Sequence, residues 1–290
     1  MTVKTEFSFA ERAQFQEKGL LVVRGLLSPD DVASAQSMLD AVVQDFSARL
    51  RRASGDLETV RQRVDGQELV TVHRTHSRAL LQCEPNCDPQ ASDVAALRVR
   101  KIDNLEDCQP LFDNPRFASK VQATVRAMLG EEPVLFNSMS MFKPAAGGME
   151  MPWHQDTAYL TFDPPSAVVV VWIALDAAHA DNGCLKLLPC GHHHGPLRHQ
   201  LPVDGSGTAS KTVVVAGGID GANLPPLPIE YAELEPGDGL VFFSLVPHAT
   251  ERNESQRSRR SLQYHLRRPS SRCLDASEYR RLYPNFWGAP

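Results

Sequence analysis

The segment Met151-Pro152-Trp153-His154-Gln155-Asp156 carries the clearest chemistry in the chain. In an extended backbone, residues two apart project to the same face, so His154 and Asp156 can meet at one point as a two-ligand clip. An isolated His-x-Asp also arises by chance, and its plainer reading is a polar strand end. His248 offers a third donor, 94 residues beyond His154, after the turn Glu235-Pro236-Gly237-Asp238-Gly239 and the apolar run Leu240 to Leu245. Antiparallel strands can close such a gap, although a lone histidine at a strand end needs no metal. Two imidazoles and one carboxylate leave three positions of an ion open, the arrangement that non-haem Fe(II) oxygenases use. Eleven residues further on, Arg259 opens the next expected strand; a guanidinium there suits a bidentate hold on a carboxylate, as a dicarboxylate co-substrate would present. Arg252, Arg257, Arg260, Arg267 and Arg268 crowd the same stretch, and for each the plain reading is a solvated charge.

The elements that must position these residues are legible in outline. Phe9 to Lys18 suits a short helix and Leu20 to Val23 a buried strand ended by Gly25. Ser28 is a good N-cap, with Pro29, Asp30 and Asp31 in the first turn and Val32, Met38, Leu39, Val42, Val43 and Phe46 marking one apolar face. Arg51 to Gln90 loses this pattern, with Pro85 and Pro89, and reads as a mobile or variable segment near a site opening. A second helix is expected from Pro115 to Leu129, capped by Asn114 and stopped by Gly130. Short β-rich runs follow at Val134–Phe142, Ala167–Leu175, Leu185–Leu188, Lys211–Val215, Tyr231–Leu234, Leu240–Leu245 and Ser261–Leu266. The expected fold is α+β and mainly β: an antiparallel sandwich or barrel under an N-terminal helical layer, in one domain over residues 1–290. Residues 1–130 would be the helical support, 131–270 the β-core and 271–290 a tail. The Gly- and Pro-rich stretch 200–228 reads as a lid or insertion.

The 290 residues, 42% hydrophobic and 22% charged, exclude a disordered or collagen-like chain. A formal charge of −5 gives no global support for a nucleic-acid partner, and no aromatic stacking array accompanies the arginines. The longest apolar run, Ala167 to Leu175, is too short to span a bilayer, and charges interrupt the first residues where a secretory signal would lie. A cytoplasmic location is the default expectation. The six cysteines are thinly spread and read as free thiols, with Cys83 and Cys87 a poor zinc site for lack of a second half.

Taken in order, these segments resemble the phytanoyl-CoA dioxygenase family of Fe(II)- and 2-oxoglutarate-dependent oxygenases. The match runs through Gln16 to Val22 and Leu26-Leu27-Ser28, Trp153-His154-Gln155-Asp156, Trp172 to Asp176 and Asn182-Gly183-Cys184-Leu185. It continues in Leu188-Pro189 with His192 and Gly195, Pro236-Gly237-Asp238, and Pro247-His248 with Asn253, Ser255 and Arg259. The resemblance implies a double-stranded β-helix, or jelly roll, with iron held by His154, Asp156 and His248, and 2-oxoglutarate paired with Arg259. It further implies O2 as oxidant and a pocket shared by Lys101, Met139, Gln155, Trp172 and Thr250, Thr250 standing where serine is common. Asp156 is present, whereas halogenating relatives replace it by a small residue, so hydroxylation-type chemistry on a small molecule is the expected reaction, with release of succinate and CO2. Desaturation, epoxidation or rearrangement after the same hydrogen abstraction are not distinguished by the sequence. Where the family usually has Pro-Gly-Ser-His, this chain has Pro189-Cys190-Gly191-His192 followed by His193 and His194, a triple histidine that reads as a solvated turn. Two other classes compete: a jelly-roll enzyme with a redox-inert metal acting as hydrolase or isomerase, and a non-catalytic β-sandwich binding module. Arg98, Arg100 and Lys101 suit an anionic substrate, while Phe136, Met141, Phe162 and Trp287 suit a lipophilic one. Neither substrate identity nor oligomeric state is readable from the chain.

Overall fold

The computed structural model describes residues 6–53, 55–64, 67–85, 87–88, 94–108, 115–200 and 218–287. The expected strand Lys211–Val215, the cap Asn114 and most of the 200–228 stretch lie outside the described residues. The helices are α1 (Phe9–Lys18), α2 (Pro29–Arg51), α3 (Pro115–Leu129) and α4 (Ala276–Leu282). The strands are β1 (Leu20–Val23), β2 (Leu57–Val64), β3 (Gln67–Arg74), β4 (Leu80–Cys83), β5 (Val99–Asp103), β6 (Val134–Lys143), β7 (Met151–His154) and β8 (Phe162–Asp163). They continue as β9 (Val168–Ala174), β10 (Leu185–Leu187), β11 (Glu230–Ala232), β12 (Gly239–Phe243), β13 (His248–Thr250), β14 (Arg259–Arg267) and β15 (Arg272–Cys273).

A nine-stranded sheet in the order β1-β12-β9-β14-β6-β5-β4-β3-β2 faces a four-stranded sheet in the order β11-β10-β13-β7. From β6 onward the chain alternates between the two, large sheet for β6, β9, β12 and β14 and small sheet for β7, β10, β11 and β13, which is the winding of a jelly roll. The run Val168 to Ala174 reads as a continuous apolar strand because both its faces are covered, and all seven residues are buried. Its outer face lies under the helical layer: Val42, Phe46, Phe117, Val121 and Val125 share one core with Val169, Val171 and Ile173. Each such buried aliphatic side chain contributes roughly 1.5–3 kcal/mol.

Local chemistry fixes the joints. Ser28 accepts from the Asp31 amide and Asp31 returns a bond to Ser28, a reciprocal cap that starts α2. Lys120 of α3 donates to the Asp31 carboxylate at 2.5 Å, tying the two helices together. In the Pro236-Gly237-Asp238 turn, Asp238 accepts from the Gly25 amide at 2.8 Å and from Arg24 at 2.6 Å, locking the turn to the end of β1. Gly237 has a φ of +93°, and a Cβ there would lie 2.5 Å from the Leu27 carbonyl oxygen.

Two expectations are corrected. Where a mobile or variable segment was expected, the described residues between 51 and 88 form the end of α2 and strands β2, β3 and β4, so five of the nine large-sheet strands come from the region expected to be helical support. The outer hairpin carries Glu58, Arg61 and Glu68 on exposed positions, as edge strands do, and this polarity hides the strand signal. The triple histidine is a solvated turn only in part: His193 and His194 are exposed, but His192 is half-buried, and His192 and His193 approach the Gln16 and Glu17 carbonyls at 3.2 and 3.0 Å, at the C-terminal end of α1. No helix of the described residues is long and apolar enough to cross a membrane.

Burial pushes the Asp31 carboxyl upward, but bonds from Lys120 and Ser28 outweigh this and hold it at about 2. A depressed carboxyl contributes stability that is present above its unfolded pKa of about 4 and lost as pH falls through the folded value. Unfolding free energy should therefore drop by roughly 2 kcal/mol more in the wild type than in Asp31→Asn between about pH 5 and pH 2. Denaturant titrations across that range would show it; parallel pH profiles would rule it out.

Candidate active site

The two histidines expected to share a metal are direct cross-strand partners. His248 on β13 pairs with His154 on β7, and their rings lie 4.1 Å apart. His154 Nδ1 lies 2.8 Å from the Pro152 carbonyl and His248 Nδ1 lies 3.0 Å from the Val246 carbonyl. Donation from each Nδ1–H leaves the Nε2 lone pair for a ligand, the second bond that metal-binding histidines commonly make. Gln155 continues the extended backbone at φ −115°, ψ 125°, so Asp156 returns to the His154 face. Asp156 Oδ1 lies 3.3 Å from His154 Nε2 and 3.6 Å from His248 Nε2. These three ligand atoms lie within 4.8 Å of one another and are the one such group among the described residues. Two donors at right angles around an ion, each about 2.1 Å from it, are about 3 Å apart, so this set fits one borderline divalent metal such as Fe(II).

The charges match that use. Burial, then the neighbouring His248, lowers the His154 pKa and keeps its ring neutral, as a ligand must be. Burial alone would raise the Asp156 carboxyl, but the surrounding His248, His154 and His265 hold it well below the usual carboxylate range. The second oxygen, Oδ2, lies 3.4 Å from Gln263 Nε2 and 3.6 Å from His265 Nε2. Gln263 and His265 sit on β14 at even spacing from Arg259, and that period of two was the signal in the sequence that could have revealed them.

A cavity of about 220 Å³ opens between the sheets, lined by the triad and by Arg259, Trp172, Met139, Lys101 and Thr250. Arg259 is 2% exposed, and its Nε and Nη1 have no hydrogen-bond partner among the described residues. Its guanidinium lies 5.2 Å from the Trp172 ring centre. Burial pushes its pKa down to about 10, which leaves it charged at neutral pH. The buried Thr250 hydroxyl likewise has no partner. Three of the other arginines are paired elsewhere: Arg257 with Asp181, Arg260 with Asp176 and Asp40, and Arg268 with Glu131. Asn253 shapes the turn before β14 by donating to the Lys143 and Arg257 carbonyls at 3.0 and 2.7 Å, which explains why an asparagine stands there. Lys101 reaches the cavity but is already paired with Asp103 at 2.7 Å.

One expected pocket residue faces the wrong way. Gln155 donates to the Gly195 and Leu245 carbonyls at 2.9 and 2.7 Å and accepts from the Leu197 amide at 2.8 Å. Alternation along the extended chain puts it opposite His154 and Asp156, so it braces the ligand segment from behind. Its own amide donates to His199 Nε2 at 2.9 Å, a buried histidine that no spacing in the sequence singles out. Lys143, Glu84, Gln82 and Met149, also on the cavity wall, were equally unmarked.

The family model for phytanoyl-CoA dioxygenase matches residues 15–261. The chain belongs to the phytanoyl-CoA dioxygenase family. It is thus a non-haem iron, 2-oxoglutarate-dependent oxygenase, with His154, Asp156 and His248 able to hold the iron. It is 28% identical over 259 residues to phytanoyl-CoA dioxygenase domain-containing protein 1 of Bos taurus, which covers 87% of each chain. To the peroxisomal phytanoyl-CoA dioxygenase of Mus musculus it is 28% identical over 273 residues, covering 92% of this chain and 70% of that protein. Its fold is similar to that of EvdO2 from Micromonospora carbonacea var. aurantiaca, solved with 2-oxoglutarate: the TM-score is 0.60 at 23% identity, over 94% of this chain and 95% of that one.

Gln155→Leu should separate bracing from co-substrate binding. Three backbone groups lose their partner, so the variant should be less stable by about 2–4 kcal/mol in denaturant titrations, while the folded fraction keeps its 2-oxoglutarate KM. A raised KM at unchanged stability would return Gln155 to the pocket.

Proposed function

We propose that this enzyme hydroxylates a small molecule, using the residues of the one cavity in divided roles. The supporting observation is the pairing of the His154–Asp156–His248 group with a buried, charged Arg259 whose donors lack partners in the same cavity. An uncompensated buried guanidinium is costly, and a carboxylate is the group that satisfies it with two parallel bonds. On this reading Arg259 and the Thr250 hydroxyl hold the distal carboxylate of 2-oxoglutarate, and Lys101 adds a further positive charge from β5. Trp172 and Met139 pack along the co-substrate and keep water from it. His154, Asp156 and His248 keep one face of the site for protein and the other for reactants. The iron, when bound, supplies the oxidising chemistry, turning 2-oxoglutarate and O2 into succinate, CO2 and an oxidant able to take hydrogen from substrate. Asp156 belongs to the hydroxylating pattern because its carboxylate fills the position that halogenating enzymes leave to chloride. Gln263 and His265, beside Asp156 Oδ2, keep the carboxylate turned with Oδ1 toward the histidines.

The enzyme is further proposed to work as a single catalytic unit over 1–290 in the cytoplasm. All six cysteines are free thiols, as a reducing compartment favours.

The test is conversion of 2-oxoglutarate to succinate by iron-loaded protein. His154→Ala should abolish it to the background of free iron. Arg259→Ala should raise the 2-oxoglutarate KM by about tenfold or more, since a charged hydrogen-bonded pair is worth ~1.5–3 kcal/mol, with iron affinity within about twofold of wild type. An unchanged KM would remove Arg259 from the co-substrate site.

A further inference from the structure

Arg100 is the second buried guanidinium on the cavity wall, 3% exposed, and the co-substrate reading gives it no task. It lies on β5 at an irregularity in the ladder: Gln82 pairs with Lys101 and Cys83 with Val99, so Arg100 is left over on the bulged strand. A bulge re-aims a side chain, and here Arg100 joins its neighbour Lys101 on the cavity wall although successive strand residues ordinarily face opposite sides. The approach is itself constrained: Arg98 has a φ of +43°, an uncommon conformation for a residue with a side chain, and its carbonyl accepts from the Glu84 amide at 2.8 Å.

Its partners are weak for a buried cation. The guanidinium donates to the Met149 thioether sulfur at 3.1 Å, a poor acceptor and its one hydrogen bond among the described residues. The Glu84 carboxylate attracts Arg100 through space but shares no hydrogen bond with it, both its oxygens accepting from the Met149 amide at 3.1 Å. Lys143, the other cation in the cluster, is occupied in donating to the Met149 and Glu251 carbonyls. Burial, then Arg259 and Arg100, pushes Lys143 down to about 6, and burial raises Glu84. With Lys143 committed to two backbone carbonyls, Arg100 is the one guanidinium of the cluster left to meet a ligand, and a single planar guanidinium matches one carboxylate better than a doubly charged phosphate ester. Within the cluster, Arg100 and Glu84 belong to the β4–β5 side of β6, whereas Lys143 lies on β6 itself, directly across from Arg259 on β14.

We propose that Arg100 binds a carboxylate of the primary substrate, making this oxygenase one that acts on small monocarboxylates. The inference rests on the proposed division of the cavity, in which Arg259 serves 2-oxoglutarate. The carboxylate end would sit against β5 and the Met149 loop, with the carbon to be oxidised toward His154, Asp156 and His248. Met141, Met151 and Leu160 supply apolar wall for the chain between them.

The test is anaerobic calorimetry of the iron- and 2-oxoglutarate-loaded protein with three probes of equal chain length: octanoate, octanol and octyl phosphate. Octanoate should bind about tenfold more tightly than octanol, as a charge-assisted bond of ~1.5 kcal/mol gives, and more tightly than octyl phosphate. In Arg100→Met that preference should vanish while 2-oxoglutarate affinity stays within about twofold. Glu84→Gln, which removes the competing negative charge, should tighten octanoate by about threefold or more, and this second variant decides the matter if Arg100→Met does not fold. Wild type without a carboxylate preference, a preference for the phosphate, a preference that survives Arg100→Met, or unchanged octanoate binding in Glu84→Gln would each overturn the proposal. Loss of 2-oxoglutarate binding in Arg100→Met would instead assign Arg100 to the co-substrate. Wild type that binds no 2-oxoglutarate would overturn the division of the cavity itself, and the substrate site with it.

Discussion

A single carboxylate oxygen organises this molecule. Asp156 Oδ1 faces both His154 Nε2 and His248 Nε2, and that meeting requires three separate things of the chain. Strand β7 must pair with β13 in the register that sets His154 opposite His248. The backbone must stay extended through Gln155 so that Asp156 returns to the same face. Both imidazoles must present the same nitrogen, which the Pro152 and Val246 carbonyls enforce through Nδ1. A slip of one residue in the β7–β13 ladder would turn His154 to the other face, so register here is a catalytic constraint as much as a packing one.

The large sheet supplies what the small sheet cannot, a dry and charged wall. Six of its strands carry cavity side chains of opposite demands: apolar Trp172, Phe242, Met139 and Met141, polar Gln82, Arg100 and Lys101 on β4 and β5, and on β14 the polar series Arg259, Gln263 and His265. Burying Arg259 with its Nε and Nη1 unpaired and only the Trp172 ring beside it opposes folding, since a buried charge without a counter-charge costs several kcal/mol. The strand survives because its other face is sealed by the helical layer, where Leu262, Tyr264 and Leu266 are fully buried. Stability comes from the outer face and reactivity from the inner one.

How much of this was readable beforehand follows the same division. Strand β9 was legible because it is buried on both faces and its sequence shows no interruption, and α2 because Ser28, Pro29 and Asp31 each satisfy a different requirement of a helix start. Strands β2 and β3 were not, since an exposed edge hairpin carries charges at the very positions where a pattern would be sought, and β4 was not because a four-residue run, Leu80 to Cys83, is too short to show a period. The metal ligands were visible as His154, Asp156 and His248, while Gln155 was misplaced because a motif match overrode the alternation that already assigned it to the opposite face. Glu84, Lys143 and His199 left no trace, being single polar residues whose importance arises only when distant strands are placed in register. Arg100 was noticed for its charge alone; the bulge that aims it exists only in the paired ladder.

The most direct measurement is ferrous ion binding under anaerobic conditions, read as stoichiometry and affinity by calorimetry on wild type and Asp156→Ala. Convergence on one oxygen predicts one ion per chain in the wild type and a loss of affinity of at least about a hundredfold in the variant. Equal binding by the two proteins, or an ion bound in full by chains lacking both His154 and His248, would contradict the account.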